Sequence, residues 1–213
     1  MNNFKYAIFD MDGTLLDSMS EWKNLGRDYL VNRGIKVPDN INDILNSMTV
    51  NEATLYFQKE FGIKENSEQI NSDILKMIEN KFLYELKLKP FVKEYLEKLR
   101  KENVNMCIAT ATPTYLAKAA MERLNVLHYF SFIVCCDDVG IGKTMPDIFH
   151  HATNKLNANL NEVVVFEDSD YAMKTSKDAG FFTVGVFDEN LSKPRKEIEA
   201  LCHKYIESFQ ELI

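Results

Sequence analysis

Hydrophobic and polar positions divide the chain into a short start, a purely helical segment and a longer segment in which two patterns alternate. Residues 5–9 form an apolar and aromatic run, KYAIF, which predicts a buried strand. From residue 16 to residue 89, apolar side chains recur at helical spacing, and no run is typical of a strand. This segment therefore predicts a small helical bundle.

Four helices are predicted within this bundle, each from one apolar face at helical spacing. The four faces consist of Trp22, Leu25, Tyr29 and Leu30; of Ile41, Ile44, Leu45 and Met48; of Tyr56, Phe57 and Phe61; and of Ile70, Ile74, Met77, Ile78 and Phe82. Gly34 follows the first face and Gly62 follows the third, and glycine commonly ends helices.

After Pro90 the pattern changes, and predicted strands alternate with predicted helices. The strands cover residues 104–109, 132–135, 163–166 and 182–186. Helices are expected to open at Pro90, at Pro113 and at Pro146, because proline favours the first turn of a helix. Thr112 is the predicted N-cap of the second of these helices. The tail from Ser192 onward predicts a last edge strand and a helix.

Strands that alternate with helices in this way predict a parallel sheet covered by helices on both faces. The first strand belongs to the same sheet, so the helical segment is an insertion after it. The predicted fold class is α/β, with a Rossmann-like parallel-sheet core and an inserted helical-bundle cap domain. We predict a core domain of residues 1–15 and 90–213 and a cap domain of residues 16–89.

Composition and charge narrow the classes of partner. The chain has 213 residues and a formal net charge of −7, which argues against a general nucleic-acid or anionic-membrane binder. A small anionic substrate stays possible, because a local cation can reverse the sign of the charge inside a cleft. No apolar run reaches the roughly 20 residues that span a bilayer, and no signal-peptide pattern opens the chain. The sequence leaves the oligomeric state open.

The cysteines indicate a reducing compartment. Cys107, Cys135, Cys136 and Cys202 form no CxxC pair, and three of them lie in or beside apolar runs. We expect reduced thiols and a cytoplasmic protein.

Two acids directly follow the first predicted strand. Asp10 ends the run, Asp12 follows two residues later, and Gly13 permits a sharp turn. Two carboxylates at the exit of a buried strand repel each other and are costly to desolvate. This stretch therefore indicates a nearby cation.

Further polar residues follow other predicted strands. Thr110 ends the strand of residues 104–109, Lys143 lies in the loop after residues 132–135, and Glu167 and Asp168 follow residues 163–166. Because the carboxyl ends of parallel strands meet at one edge of a sheet, these side chains are expected to lie close to the first two acids. Hard oxygen ligands suit Mg²⁺, and a hydroxyl with an ammonium suits a phosphate group.

Four segments in this order resemble the motifs of the haloacid dehalogenase superfamily. The sequence DMDGTL at residues 10–15 resembles its first motif, DxDGT[LV]. Thr110, Lys143 and the pair Glu167-Asp168 resemble the second, third and fourth motifs. Residues 142–149, GKTMPDIF, are similar to the GKPxPDxF form of the subfamily whose helical cap follows the first motif. That subfamily includes phosphoglycolate phosphatase-like and β-phosphoglucomutase-like proteins.

The resemblance implies roles for the motif residues. Asp10 would be the nucleophile and a metal ligand. Asp12 would be the general acid and base, and would bind the metal through its backbone carbonyl. Thr110, Ala111 and Lys143 would bind the phosphoryl group, with Lys143 also orienting the nucleophile.

The resemblance also implies a metal site and leaves the cap residues less defined. Glu167 and Asp168 would hold Mg²⁺, directly or through water. Trp22 and Met48 are the predicted substrate contacts of the cap. Trp22 stands where β-phosphoglucomutases have a histidine, and Thr144 stands where the third motif usually has proline.

The predicted function is a Mg²⁺-dependent phosphatase that hydrolyses a small phosphorylated metabolite through an aspartyl-phosphate on Asp10. Asp12 separates it from relatives that cleave carbon–halogen or carbon–phosphorus bonds and lack this second acid. The main alternative is a phosphosugar mutase of the β-phosphoglucomutase type, which the missing cap histidine disfavours. A non-catalytic phospho-acceptor or a regulatory protein on the same fold is the remaining alternative.

Overall fold

The computed structural model describes residues 4–191 and 193–213. Residues 1–3 of the predicted core domain and Ser192, where the predicted tail begins, lie outside the described residues. The strands are β1 (Tyr6–Phe9), β2 (Asn105–Thr110), β3 (Phe130–Cys135), β4 (Val163–Glu167), β5 (Phe182–Val186) and β6 (Lys204–Ile206). They form one six-stranded sheet in the order β3-β2-β1-β4-β5-β6, and all neighbours are parallel. The predicted α/β class is confirmed.

Strand β1 lies inside the sheet, and its sequence explains why. Ala7, Ile8 and Phe9 have no exposed surface, as a strand flanked on both sides and covered on both faces requires. The Phe9 ring stacks on Phe166 of β4, with centroids 4.4 Å apart and planes 7° apart. Because β2 pairs with one side of β1 and β4 with the other, the carboxyl ends of these three strands border one crevice.

Residues between β1 and β2 are mainly helical, as predicted for residues 16–89. The helices there are α1 (Met19–Trp22), α2 (Leu25–Val31), α3 (Ile41–Leu45), α4 (Val50–Phe61) and α5 (Ser67–Asn80), followed by a π-helical turn (Lys81–Glu85). We call residues 19–85 the helical insertion. The boundaries of separate cap and core domains stay a prediction.

The remaining α-helices lie outside the helical insertion. They are α6 (Val92–Lys101), α7 (Thr114–Arg123), α8 (Asp147–Lys155), α9 (Asp170–Asp178) and α10 (Arg195–Ala200), with a short 3-10 helix, Phe209–Leu212, near the end of the chain. This order places α6 before β2, α7 before β3, α8 before β4 and α9 before β5, which is the crossover arrangement that parallel neighbours need. The expected edge strand of the tail is β6.

One predicted helix is two helices in the structure. The face of Trp22, Leu25, Tyr29 and Leu30 predicts a single helix, but α1 ends at Trp22 and α2 begins at Leu25. Asn24 between them is the N-cap of α2, with φ −111° and ψ −1°. The apolar spacing continues across this break, so the pattern of side chains carries no signal of it.

The start of α6 also differs from the prediction. The helix begins at Val92 and not at Pro90, because Phe91 between them has a left-handed φ of 64°. This conformation is sterically unfavourable for a bulky side chain. The insertion therefore returns to the sheet through a constrained turn.

Two connections join the helical insertion to the sheet, and they lie side by side. Leu16 and Leu88 form an antiparallel bridge, and the Lys89 amide donates to the Leu15 carbonyl at 2.9 Å. The Lys89 ammonium donates to the carbonyls of Gly13 and Phe187, each at 2.5 Å. The insertion is thus anchored directly to the loop that follows β1.

The cysteines and the helix lengths concern two further predictions, that the thiols are reduced and that no segment spans a bilayer. Each cysteine of the chain is free and buried. Within residues 4–191 and 193–213, the helices all fall short of the length and apolar character needed to cross a membrane.

Candidate active site

The loop after β1 carries the first two predicted site residues. The Asp10 amide donates to the Phe166 carbonyl at 2.9 Å, which extends the pairing of β1 with β4 by one residue. The Asp10 side chain is only 8% exposed, and its carboxylate accepts a hydrogen bond from the Lys143 ammonium. This bond fixes the orientation of the carboxylate at the carboxyl edge of the sheet.

Lys143 is buried between two carboxylates. Its ammonium contacts Asp10 Oδ1 and donates to Glu167 Oε1 at 2.6 Å. Burial alone would lower the pKa of the Lys143 ammonium, but the charges of Asp10 and Glu167 outweigh it and hold that pKa well above its usual value. Lys143 is therefore a permanently charged group that joins the loop after β3 to the ends of β1 and β4.

Three of the predicted metal ligands lie together. One ligand atom from each of Asp10, Glu167 and Asp168 falls within 4.8 Å of the others, and all three residues are buried. The Thr14 hydroxyl donates to Asp168 Oδ1 at 3.1 Å, which orients that carboxyl group. Among the described residues, Glu167 Oε2 is buried without a hydrogen-bond partner.

The electrostatics of this cluster suit a bound cation. Burial raises the pKa values of both Glu167 and Asp168, and the neighbouring acids raise them further. These raised pKa values mean that the charged carboxylates repel one another, and that the charge of Lys143 is not enough to offset this repulsion. The orphaned Oε2 atom and the set of hard oxygen donors fit a divalent ion such as Mg²⁺.

Gly13 makes room for this cluster. Its backbone is left-handed, with φ +75°, and a Cβ added there would overlap Asp168 Oδ2 and lie 2.6 Å from Asp168 Cγ. Glycine at this position therefore satisfies both the turn and the close approach of the acid.

Asp12 lies apart from the acid cluster, and its side chain has a different environment. Oδ1 accepts hydrogen bonds from Ser18 Oγ at 2.7 Å and Trp22 Nε1 at 3.0 Å, and Oδ2 accepts one from Thr112 Oγ1 at 2.6 Å. Burial, with the charge of Asp10, raises the pKa of the Asp12 carboxyl, and the donors oppose this rise. The predicted contact of its backbone carbonyl with a metal stays a prediction.

The segment after β2 corrects one prediction. Thr112 does not cap α7, because its hydroxyl donates to Asp12 and the helix begins after Pro113 without a side-chain cap. The Thr112 amide instead donates to Thr110 Oγ1 at 3.0 Å. Thr110 is fully buried, and it is Ala111 and Thr112 that border the adjacent cavity.

A cavity of about 290 Å³ lies between the helical insertion and the carboxyl edge of the sheet. Residues of the sheet edge that line it include Asp10, Asp12, Ala111, Thr112 and Lys143, and residues of the insertion that line it include Trp22, Lys23, Asn42, Asn46, Met48 and Thr49. The structure thus brings the predicted substrate contacts Trp22 and Met48 to the same space as the acids.

Ser18 and Thr112 are the site residues that the sequence reasoning missed. Each contacts Asp12, and Thr112 lies 100 positions away from it along the chain. The only available signal was the second hydroxyl in the sequence TAT at residues 110–112, two residues after the predicted phosphate ligand. Trp22 was predicted to contact substrate, and the structure adds its bond to Asp12.

Similarity to known proteins agrees with this geometry. The family of haloacid dehalogenase-like hydrolases matches residues 7–186. The phosphorylated carbohydrates phosphatase of Thermotoga maritima is 28% identical over 194 residues, which cover 91% of this chain and 90% of that protein. The β-phosphoglucomutase of Bacillus subtilis is 26% identical over 192 residues, which cover 85% and 83%.

A solved structure is similar over the whole fold. A hydrolase from Pseudomonas syringae superposes with a TM-score of 0.78 at 25% identity, covering 96% of this chain and 94% of that one. The family match spans β1 through β5 and includes the Asp10, Lys143, Glu167 and Asp168 positions. The chain therefore belongs to the haloacid dehalogenase-like hydrolase family.

Proposed function

We propose that this protein is a Mg²⁺-dependent phosphatase that hydrolyses a small phosphorylated metabolite through an aspartyl-phosphate on Asp10. The observation that carries the proposal is the buried Lys143 ammonium, which holds the Asp10 carboxylate beside a second acid at the wall of the cavity. A carboxylate fixed in this way is positioned to attack a phosphorus atom in line, and the ammonium offsets the charge of the arriving phosphate.

In the first step, an oxygen of Asp10 bonds to phosphorus and the ester bond of the substrate breaks. Asp12 gives its proton to the leaving oxygen, so the metabolite departs as an alcohol. In the second step, a water molecule attacks the same phosphorus, Asp12 takes a proton from that water, and the bond to Asp10 breaks. The products are the alcohol and inorganic phosphate.

The remaining polar residues bind the phosphoryl group and the metal ion and orient the nucleophile. Lys143 binds a phosphoryl oxygen while it holds Asp10, and the backbone of Ala111, which borders the cavity, binds a further one. Thr110 is fully buried and supports this segment by accepting the Thr112 amide. Asp10, Glu167, Asp168 and the Asp12 carbonyl would hold Mg²⁺. When bound, the ion would neutralise the acid cluster, whose charge would otherwise repel the phosphate.

The cavity and the relatives bear on the substrate class. A volume of about 290 Å³ limits the substrate to a small molecule. Trp22, Met48 and the amide side chains of Asn42 and Asn46 also line the cavity. A Thermotoga maritima relative is named for phosphorylated carbohydrates. We therefore propose that the substrate is a small phosphorylated metabolite such as a sugar phosphate. The free cysteines support a cytoplasmic location for the protein.

A phosphosugar mutase is the second candidate, and the Bacillus subtilis relative supports it. A mutase must return the phosphoryl group to an intermediate and keep water away from the aspartyl-phosphate. Trp22 occupies the position of the mutases' cap histidine, so the phosphatase is favoured. Non-catalytic roles are disfavoured because the acid cluster, the lysine and the cavity occur together.

The test is a phosphate-release assay of the purified protein with Mg²⁺ over sugar phosphates, phosphoglycolate, nucleotides and cofactor phosphates. The wild-type protein should release phosphate steadily without interconverting sugar phosphates. Asp10→Asn should lose several orders of magnitude in turnover, because an amide is a poor nucleophile. Asp178→Asn is the matched control, since Asp178 lies exposed in α9 and, within the part of the chain that the structure describes, pairs only with Lys174.

A trapping experiment tests the intermediate itself. After rapid acid quench during turnover, mass spectrometry of the intact protein should detect one phosphoryl group in the wild type and none in Asp10→Asn. Near-normal turnover of Asp10→Asn would refute the nucleophile assignment. Turnover that a chelator leaves unchanged would refute the metal requirement.

A further inference from the structure

The two carboxyl oxygens of Asp12 have hydrogen-bond partners of different chemistry. Oδ1 accepts from the Ser18 hydroxyl and from the Trp22 indole, whereas Oδ2 accepts, among residues 4–191 and 193–213, from the Thr112 hydroxyl alone. Ser18 and Thr112 are almost completely buried, so water has little access to these bonds. The asymmetry is therefore built into the protein.

An indole N–H can only donate, but a hydroxyl can donate or accept. A proton on Oδ1 would make that oxygen a poorer acceptor and weaken the hydrogen bond from Trp22. The indole N–H cannot accept a hydrogen bond in return. A proton on Oδ2 requires only that the Thr112 hydroxyl turn and accept. The two partners together favour Oδ2 as the oxygen that carries the proton.

We propose that Trp22 and Thr112 are positioning residues that make Oδ2 the oxygen through which Asp12 gives and takes its proton. The proposal rests on the phosphatase function proposed above. Trp22 acts from α1 of the helical insertion, and Thr112 acts from the segment after β2. The proton donor is complete only when the insertion and the sheet hold it from both sides.

Thr112 also connects the proton donor to the phosphate site. Its amide donates to Thr110 Oγ1 at 3.0 Å, while its hydroxyl donates to Asp12. Thr112, Trp22 and Asp12 all line the cavity, so a substrate bound there would have its leaving oxygen within reach of the group that protonates it. One threonine thereby fixes the relative position of two parts of the reaction.

Leaving groups that differ in their need for a proton provide the test. Phenyl phosphate and p-nitrophenyl phosphate have similar shapes, but p-nitrophenolate is a stable anion that leaves without a proton. The ratio kcat/KM reports the steps through the first phosphoryl transfer, in which Asp12 acts as the acid. A defect in proton positioning must therefore lower kcat/KM more for phenyl phosphate than for p-nitrophenyl phosphate.

The informative variants remove one contact each. Thr112→Val removes the hydroxyl at nearly constant shape, Thr112→Ser retains it, and Trp22→Phe keeps an aromatic ring without the N–H. For Thr112→Val and Trp22→Phe we expect kcat/KM to fall about tenfold or more with phenyl phosphate and less than about threefold with p-nitrophenyl phosphate. Thr112→Ser should stay within about threefold of wild type with both.

Thr153→Val is the matched control for the loss of a buried threonine hydroxyl. Thr153 lies in α8 and donates to the Phe149 carbonyl at 2.8 Å, away from the residues that line the cavity. Its variant should change kcat/KM equally for the two substrates. Equal losses for both substrates in Thr112→Val and Trp22→Phe would overturn the proposal, because a purely structural role predicts them.

The outcome also separates this inference from the proposed function. If wild type hydrolyses both aryl phosphates and Asp10→Asn hydrolyses neither, the phosphatase function stands whatever the variants do. Equal losses in Thr112→Val and Trp22→Phe then refute the positioning role alone. If Asp10→Asn retains normal turnover, the proposed function fails and the inference fails with it.

Discussion

Replacing Gly13 by alanine tests whether the turn after Asp12 exists to admit Asp168. The residue has φ +75°, and an added Cβ would overlap Asp168 Oδ2 and lie 2.7 Å from Met19 Cγ. The Asp168 carboxyl group is buried and shares its cluster with Asp10 and Glu167. The substitution must therefore either move this acid or distort the loop that carries Asp10.

Gly34 supplies a matched control for the cost of placing alanine in a left-handed backbone conformation. Its φ is +74°, nearly the same as at Gly13, but a Cβ there would meet nothing within 4 Å. A left-handed conformation costs an alanine about 1–2 kcal/mol. Gly34→Ala should therefore destabilise the protein by that amount alone, and Gly13→Ala should lose roughly 1–3 kcal/mol more through overpacking. Each kcal/mol corresponds to a Tm decrease of roughly 2–4 °C at this chain length.

Thermal unfolding with and without Mg²⁺, together with phosphate release, measures the effect. Wild type and Gly34→Ala should gain Tm on addition of Mg²⁺ and should retain activity, since Mg²⁺ binding to the folded state stabilises it. Gly13→Ala should show a smaller gain in Tm and should lose activity by about ten- to a hundredfold, because a misplaced ligand lowers metal affinity. A Gly13→Ala protein that matches Gly34→Ala in Tm, Mg²⁺ response and turnover would refute the reasoning.

Three further predictions concern charge. In the metal-free protein, the raised pKa values of Glu167 and Asp168 mean that the folded state binds protons at these carboxyl groups more tightly than the unfolded chain does. The free energy of unfolding should therefore fall as pH rises from about 4 through the raised pKa values. Urea titrations at several pH values should show this fall, and Mg²⁺ should reduce it. Lys143→Met leaves the buried acids Asp10 and Glu167 without their ammonium partner, so phosphate release should nearly vanish and the free energy of unfolding should fall by about 3–5 kcal/mol. Activity within tenfold of wild type would contradict this prediction. Lys89→Met removes a mostly buried ammonium from two carbonyls and Asp188 and should lower the free energy of unfolding in urea by about 2–3 kcal/mol, whereas Lys174→Met, which breaks an exposed pair, should lower it by less than about 1 kcal/mol. Equal losses in the two variants would contradict the anchoring role of Lys89.

The parts of the site that the sequence predicted are those that a strand end determines locally. Asp10 follows β1, Thr110 ends β2, and Glu167 ends β4. Once three apolar runs are identified as parallel strands, the geometry of the sheet brings the residues after them to one edge. Their meeting therefore requires no knowledge of side-chain packing.

The parts that the sequence missed depend on which side chains meet across the cavity. Thr112 was predicted to cap α7, because a threonine before a proline is a typical helix start. Its contact with Asp12 spans 100 positions, and no local pattern indicates it. Similarly, the helical spacing around Trp22 predicts that the ring packs inward, but it contains no information about the direction of the indole N–H.

The same distinction explains why the insertion was predicted only in outline. The helical character of residues 19–85 follows from apolar spacing, and α4 begins where Thr49 and Glu52 form a capping box. The break between α1 and α2 leaves that spacing intact, so it escapes any argument from periodicity. It is a tertiary feature, located next to the residue that reaches Asp12.

The acid cluster is the feature that joins stability to chemistry. Asp10, Glu167 and Asp168 bring three carboxylates into a buried space where Lys143 supplies a single positive charge. A folded protein tolerates this imbalance only by holding protons or by binding a cation, and the raised pKa values of Glu167 and Asp168 are the first of these two responses. In the proposed phosphatase, a divalent ion would provide the second response without protonation of Asp10, and the carboxylate would stay available to attack phosphorus. Under this proposal, the residues that destabilise the metal-free fold are the ones that would make the site reactive once a cation is bound.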